Sequence, residues 1–509
     1  MAITRRQFIT RTGLTAGTVL GTGVFGHPLV RRAMAATSNK YTIVLFLDGG
    51  NDGLNTISPI DNGSGTLRTD YQAARRTGGG GIRLNPPANG GDLTNLLPIG
   101  TDPNTGAQIG MHPGFRGILD GVQGPGDPGF GGLYQLFLDG HVAVVQGCGY
   151  PDYNLSHEES RKIWQTANPL YSGAIAGTGW VGRFLAHPSQ GYTGSDIPAI
   201  NIQDSIAAEF RQFTTSVVAA TRLEDFTFPI DDPFADDEQA KRDAFTALYG
   251  FASGSGALKL KLIGDSGTAT YDSTTLFPTA NTAYENERPA FYRNGYDQID
   301  RSVARDLREI AKVIYAQEKG TPISGIMARY FQLSNGGYDT HSDQGSNQTD
   351  GQHFGLHAEV GASLKHFFDD LGNIDAGLPA RTVVLIYSEF SRRIEQNDNG
   401  TDHGSQGPMF VIGGKVRGGI YGQHPNIGDT DDQGNTKYLQ SGPGDPYLVD
   451  YRSTDFRDVY GTILTKWLGM DPPVVSADIL PIDSGSASDF WTFANFDLKR
   501  SDGGTLFLP

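Results

Sequence analysis

Thr382 to Tyr387, TVVLIY, is a run of apolar and β-branched residues with no charge inside it, and Tyr41 to Leu47 (YTIVLFL) reads the same way. A strand with one face in water alternates apolar and polar residues. A strand without alternation is buried on both faces, as in a parallel sheet covered by helices. His141 to Gln146, Ala328 to Leu333, Met409 to Ile412 and Ile197 to Ile202 are further strands on the same grounds. Between them lie stretches of helical period: Gly132 to Leu138, Ser156 to about Thr166, Gln352 to Leu371 and Asp455 to Leu468. Asp297 to Glu318 carries Ile299, Val303, Leu307, Ile310 and Val313 at three- and four-residue spacing. Alternation of this kind predicts an α/β fold with a mostly parallel central sheet and helices on both faces.

Residues 36–509 are read as one such domain. Residues 60–130 are rich in Gly and Pro, with a helix expected near Phe115 to Leu119. The region 185–320 is less regular and is expected to form an inserted cap-like segment, with a helix from Asp236 to Tyr249. Gly makes up 69 of the 509 residues, about 14 % against a typical value of roughly 7 %, which points to long, turn-rich connections.

The N-terminus reads as an address. Thr4-Arg5-Arg6-Gln7-Phe8-Ile9 has the twin-arginine form, an uncharged segment runs from Gly13 to Val30, and Ala33-Met34-Ala35 offers a cleavage site before Ala36. Residues 1–35 are thus expected to be a twin-arginine signal peptide handled by the twin-arginine translocase. The mature protein is expected to be periplasmic or extracellular and to lack a membrane span, since the Gly13 to Val30 segment is diluted by glycines, His27 and Pro28. Those 35 residues hold five arginines and no acid, so removing them takes the formal charge from −16 to −21. So acidic a surface disfavours nucleic acid and anionic lipid as partners and makes a small anionic substrate depend on locally bound cations. Cys148 is the sole cysteine, which excludes an intrachain disulfide and a thiolate cluster.

Ligands of open α/β sheets bind outside the carboxyl ends of the strands. Three strand ends here carry metal-ligand residue types: Asp48 after the first strand, Asp339 with His341 after the Ala328 to Leu333 strand, and Glu389 followed by Asp402-His403. Asp339 and His341 alternate by two, so an extended backbone points both to one side. Carboxylate with imidazole suits zinc foremost, with manganese, iron or calcium as other divalent candidates. Ser156 opens a helix, where backbone amides favour an anion, and a serine there facing metal ions is a candidate nucleophile. Ser156-His157-Glu158-Glu159 also reads as a capping box, and His157 is a candidate acid/base. Arg183, Asn51 and Arg392 are candidate contacts for anionic oxygens.

The motifs DGGNDGLNT, YNLSHEESRKIWQTANP, GTGWVGRFLA, GGYDTHSDQ, SEFSRR, GTDHG and DFRDVYGTILTKWLG occur in order over roughly residues 41–470. Together they resemble the exported bacterial family catalogued as domain of unknown function 1501, within the alkaline-phosphatase-like superfamily. The resemblance implies two metal sites flanking a nucleophile at a helix start. Asp48 and Glu389 would hold one ion, Asp339, His341 and His403 the other, and Ser156 would take the nucleophile's position. Glu389-Phe390 stands where the superfamily usually has Asp-His, one ligand fewer. The expected function is an exported metal-dependent hydrolase of phosphate or sulfate esters. The alternative is a catalytically silent, metal-stabilised binding or envelope-assembly protein.

Overall fold

A computed structural model describes residues 39–87, 95–119, 124–150, 153–168, 177–212, 214–228, 237–319, 326–346, 351–425, 427, 453–480 and 496–509. The signal segment expected at residues 1–35 lies outside them. Fourteen strands follow in chain order. Strand β1 is Tyr41–Leu47; β2 Ile57–Pro59, β3 Leu97–Thr101 and β4 Gln108–Met111 form a small antiparallel sheet; β5 is Val142–Gly149, β6 Ile197–Asn201, β7 Val217–Ala219, β8 Ile326–Asn335 and β9 Thr382–Ser388. Strands β10 (Ser391–Arg392) and β11 (His403–Gly404) make a short ribbon, and β12 (Gly407–Ile412), β13 (Gly419–Tyr421) and β14 (Thr454–Asp455) complete the set.

The main sheet runs β13-β5-β12-β9-β1-β8-β6-β7, with β14 also on β5. All its neighbours pair in parallel except β12, which is antiparallel to both β5 and β9. The expected mostly parallel sheet is therefore present, with one reversed strand in its middle. Both faces are covered. Tyr41, Ile43, Leu45 and Leu47 of β1 enter one core with Val303, Leu307, Ile310 and Phe367, while Val44 and Phe46 enter a second with Trp164, Phe184 and Leu464. Two buried faces leave no position for a polar alternation, which is why these strands read as continuous apolar runs.

The region 185–320 divides. Strands β6 and β7 extend the main sheet, and the Ser302–Lys319 helix packs on it; only the helices Glu238–Ser253, Leu258–Glu287 and Ala290–Ile299 stand outside the sheet layer. The helix expected near Phe115 is a single 3₁₀ turn, Pro113–Arg116, ended by Gly117 at φ 69. The 30-residue Leu258–Glu287 helix has no counterpart in the sequence reading.

Candidate metal centre

Strands β1, β8 and β9 run side by side, so the segments leaving their carboxyl ends meet. Close approach is required there. Gly49 has φ 122 and Gly50 φ 76, and a Cβ would lie 2.4 Å from the Asp339 amide nitrogen at Gly49 and 2.2 Å from the Phe390 ring at Gly50. Arg392 ties the three segments together. Its fully buried guanidinium donates to Gly50 O (2.6 Å), Thr401 O (2.9 Å), Tyr338 O (3.1 Å) and the Asp339 carboxylate (2.6 Å), and also to Gly49 O. The β10–β11 ribbon pairs Arg392 with His403 and so brings that imidazole to the same edge.

Three histidines face Asp339 Oδ1. The distances are 3.2 Å from His341 Nε2, 3.3 Å from His403 Nε2 and 3.5 Å from His157 Nε2, and the His341 and His403 Nε2 atoms are 2.9 Å apart. Each ring has its other nitrogen against an acceptor: His157 Nδ1 on Glu389 Oε1 at 2.9 Å, His341 Nδ1 on Asp402 Oδ1 at 3.2 Å, and His403 Nδ1 on Leu155 O at 2.8 Å. In the neutral ring an Nδ1–H donor leaves Nε2 as a lone pair. Three such lone pairs and a carboxylate oxygen therefore converge, and His157 Nε2 is buried with no hydrogen-bond partner. Among the described residues, His157, Asp339 and His403 form the group with the spacing of metal ligands, and His341 stands beside it against Asp339 and His403. Zinc ligands at about 2.0–2.1 Å in a tetrahedron stand about 3.3–3.4 Å from one another. The separations of the three imidazoles from Asp339 Oδ1 and of His341 from His403, 2.9–3.5 Å, lie near that figure, and the His157, Asp339 and His403 ligand atoms lie within 4.8 Å of one another. Carboxylate and carbonyl acceptors behind ligating imidazoles are the usual support of such an ion.

Without an ion the electrostatics favour a carboxylate at Asp339, a neutral ring at His403 and a protonated ring at His157. Partial burial opposes charge on Asp339, but the Arg392 hydrogen bond and charge outweigh it and hold the carboxyl down at about 2. The Glu389 hydrogen bond raises the His157 pKa, while burial lowers that of His403. Phe390 packs its ring 4.8 Å from His157 and 4.5 Å from His403, so an apolar wall stands where the resemblance implies another ligand.

The remaining sequence candidates have other employment. Glu389 is fully buried and accepts from the Gly49 amide (3.0 Å) as well as from His157, so it orients an imidazole and does not join the group around Asp339 Oδ1. Asp48 pairs with Arg161, and burial, partly offset by that arginine, raises its pKa. Among the described residues no second group of ligand spacing accompanies Asp48 and Glu389. Ser156 is exposed at the N-cap of the His157–Thr166 helix and its side chain makes no capping bond; Glu159 pairs with Lys162 rather than closing a capping box.

Arg183 is buried and donates to Thr166 O, Thr178 O and Ile479 O, so it joins three backbone segments and is not a substrate contact. Its burial lowers its pKa to about 9. Asn51 is buried too, with Oδ1 2.9 Å from His353 Nε2 and 3.0 Å from Thr56 Oγ1. The buried Arg392 is a positioning residue. What sequence reasoning missed is His157 beside Asp339 as a candidate ligand, Glu389 and Asp402 as the supports of His157 and His341, and Arg161 as the half-exposed cation four residues on from His157, on the same helix face.

Residues 324–440 match the family described as protein of unknown function (DUF1501), in agreement with the motifs. No curated protein and no solved structure matches the chain.

Proposed function

For a chain that belongs to the DUF1501 family through residues 324–440, we propose a metal-dependent ester hydrolase, acting on phosphate or sulfate esters and exported by the twin-arginine route. The observation that carries the reading is the convergence of His157, His341 and His403 Nε2 on Asp339 Oδ1, each ring having its Nδ1 against an acceptor. These four side chains would hold one divalent ion, zinc foremost. A bound ion supplies Lewis acidity toward the anionic oxygens of an ester.

The chain's own residues do the rest. Arg392 keeps Asp339 ionised and aimed, and Glu389 and Asp402 fix the tautomers of His157 and His341. Arg161, half exposed and paired with Asp48, is the group that would take an ester oxygen. Ser156 is exposed one residue before His157, and its hydroxyl is the nucleophile available at the helix start. Asp339 and His341 are half exposed, which leaves the ion open to a substrate from solvent. The location at the carboxyl edge of a parallel sheet supports kinship with the alkaline-phosphatase-like superfamily, although with one ion rather than two.

One observation favours the silent alternative. Four protein ligands are the complement of a closed structural site, whereas a catalytic zinc usually has three. Elemental analysis combined with hydrolysis of p-nitrophenyl phosphate, bis(p-nitrophenyl) phosphate and p-nitrophenyl sulfate separates the two. The hydrolase reading expects about one equivalent of metal and turnover that chelation removes and metal restores. Bound metal with no turnover of any ester would favour the silent reading, and protein without metal would overturn both.

A further inference from the structure

Ten large apolar side chains are exposed among the described residues, and five of them fall within one short stretch: Leu248, Phe251, Leu258, Leu260 and Ile263. Leu258 is 85 % exposed, Phe251 77 % and Leu248 64 %. They surround the turn at which the Glu238–Ser253 helix passes into the Leu258–Glu287 helix. The two helices do not need these side chains to hold together. Phe245 packs tilted on Tyr249 at 4.3 Å and stacks on Tyr271 at 5.6 Å, and Gly264 and Gly267 let the helices approach where a Cβ would collide with the Ser253 backbone and the Tyr249 ring. That seam lies on one side, and the apolar residues at the turn face outward.

The hairpin also projects. It meets the rest of the molecule at Asp265, against Gly194, and at Ser266, whose hydroxyl is 2.9 Å from that of Ser216. Farther along, Ala269, Phe277, Ala280 and Tyr284 enter the core. Leu258 precedes Asp265 by seven residues, about 10 Å at the helical rise of 1.5 Å per residue. Local charge decides what a surface sees at that distance, because screening at physiological salt acts over about 8 Å. From Ala244 to Gly264 the charged residues are Lys259 and Lys261, with no acid, in a chain of net charge −16. Lys261 reaches back to Asp265 at 2.7 Å; Lys259 is exposed.

We propose that this hairpin tip docks the protein on an anionic phospholipid surface. Phe251, Leu258 and Ile263 enter the boundary between headgroups and acyl chains, and Lys259 meets the lipid phosphates. Apolar side chains flanked by lysines, on a helical hairpin too polar to span, are the makeup of an interfacial anchor. The overall negative charge disfavours anionic lipid for the rest of the surface, so contact is confined to the tip. A second copy of the chain is the poorer occupant. A stable dimer buries about 800 Å² per partner on a broad face, whereas a hairpin end is narrow, and a two-fold contact would oppose the lysines to each other.

Flotation of the purified chain with vesicles of phosphatidylglycerol and phosphatidylcholine tests this. Wild type is expected to float with the mixed vesicles and little with phosphatidylcholine alone. Phe251→Ser combined with Leu258→Ser is expected to lower the bound fraction at least tenfold with an unchanged thermal midpoint. Leu258→Trp is expected to shift its emission to the blue on adding the mixed vesicles. Equal flotation of wild type and the double variant overturns the proposal. So does a lipid-free dimer in sedimentation that the double variant abolishes.

Discussion

A single carboxylate oxygen, Asp339 Oδ1, organises the site, and the side chains around it differ in how far the sequence revealed them. Asp339, His341 and His403 were legible because they follow the ends of strongly apolar strands, where topology gathers side chains. The place of His157 beside Asp339 was not legible, because its partner, Glu389, lies 232 residues away and only the fold reveals that Nδ1 is occupied. Arg183 and Arg392 were misjudged for a related reason: a buried arginine satisfied by carbonyls looks the same in sequence as an exposed one that binds anions. The support given by Asp402 makes a prediction. Asp402→Asn removes a charged acceptor behind His341, and zinc affinity measured by chelator competition is expected to fall roughly ten- to a hundredfold.

A second residue-level prediction concerns His112, His353 and His357. These are fully buried, their ring centroids 4.2–5.0 Å apart. Burial lowers all three pKa values, that of His353 to about 3, helped there by the charges of Arg75 and Arg392; Asp52 opposes the shift at His112. Unfolded histidines near 6.5 bind protons that the folded ones refuse. Their contribution to stability is complete above pH 6.5 and is lost as pH falls from there toward 3, by roughly 1.4 kcal/mol per pH unit for each histidine. Urea unfolding across that range checks it, and a His353→Gln variant is expected to have a shallower slope.

Among the elements, the long strands of the main sheet were legible because burial on both faces writes itself as uninterrupted Val, Ile, Leu and aromatic residues, as in β1 and β9, whereas short ones such as β2, β7 and β13 were not. The Leu258–Glu287 helix was not. Gly264, Gly267 and Pro278 with many Ser and Thr give it poor intrinsic propensity, and its contacts with Tyr249 and the core supply what the local sequence lacks. The connections hold the site by close packing, and Gly50 is the tightest point. Gly50→Ala adds a methyl 2.2 Å from the Phe390 ring at a backbone of φ 76. It is expected to destabilise the protein by roughly 1–3 kcal/mol in denaturant unfolding, and to loosen zinc binding by shifting Phe390 against His157.

At the scale of the molecule, an α/β protein carries a candidate metal centre at the carboxyl edge of its sheet and a hairpin proposed to meet a lipid surface. No helix among the described residues is long and apolar enough to cross a bilayer. If Arg5 and Arg6 direct export, replacing both with Lys is expected to leave uncleaved precursor in the cytoplasmic fraction on immunoblots, while wild type is found outside it at the processed size. The metal centre bears the greatest weight, and X-ray absorption at the zinc edge of the zinc-loaded protein examines it most directly. The account predicts one ion with three imidazole nitrogens and a carboxylate oxygen near 2.0 Å, and one imidazole fewer in His157→Ala. A first shell of oxygens without imidazole scattering, or a spectrum unchanged by His157→Ala, would contradict it.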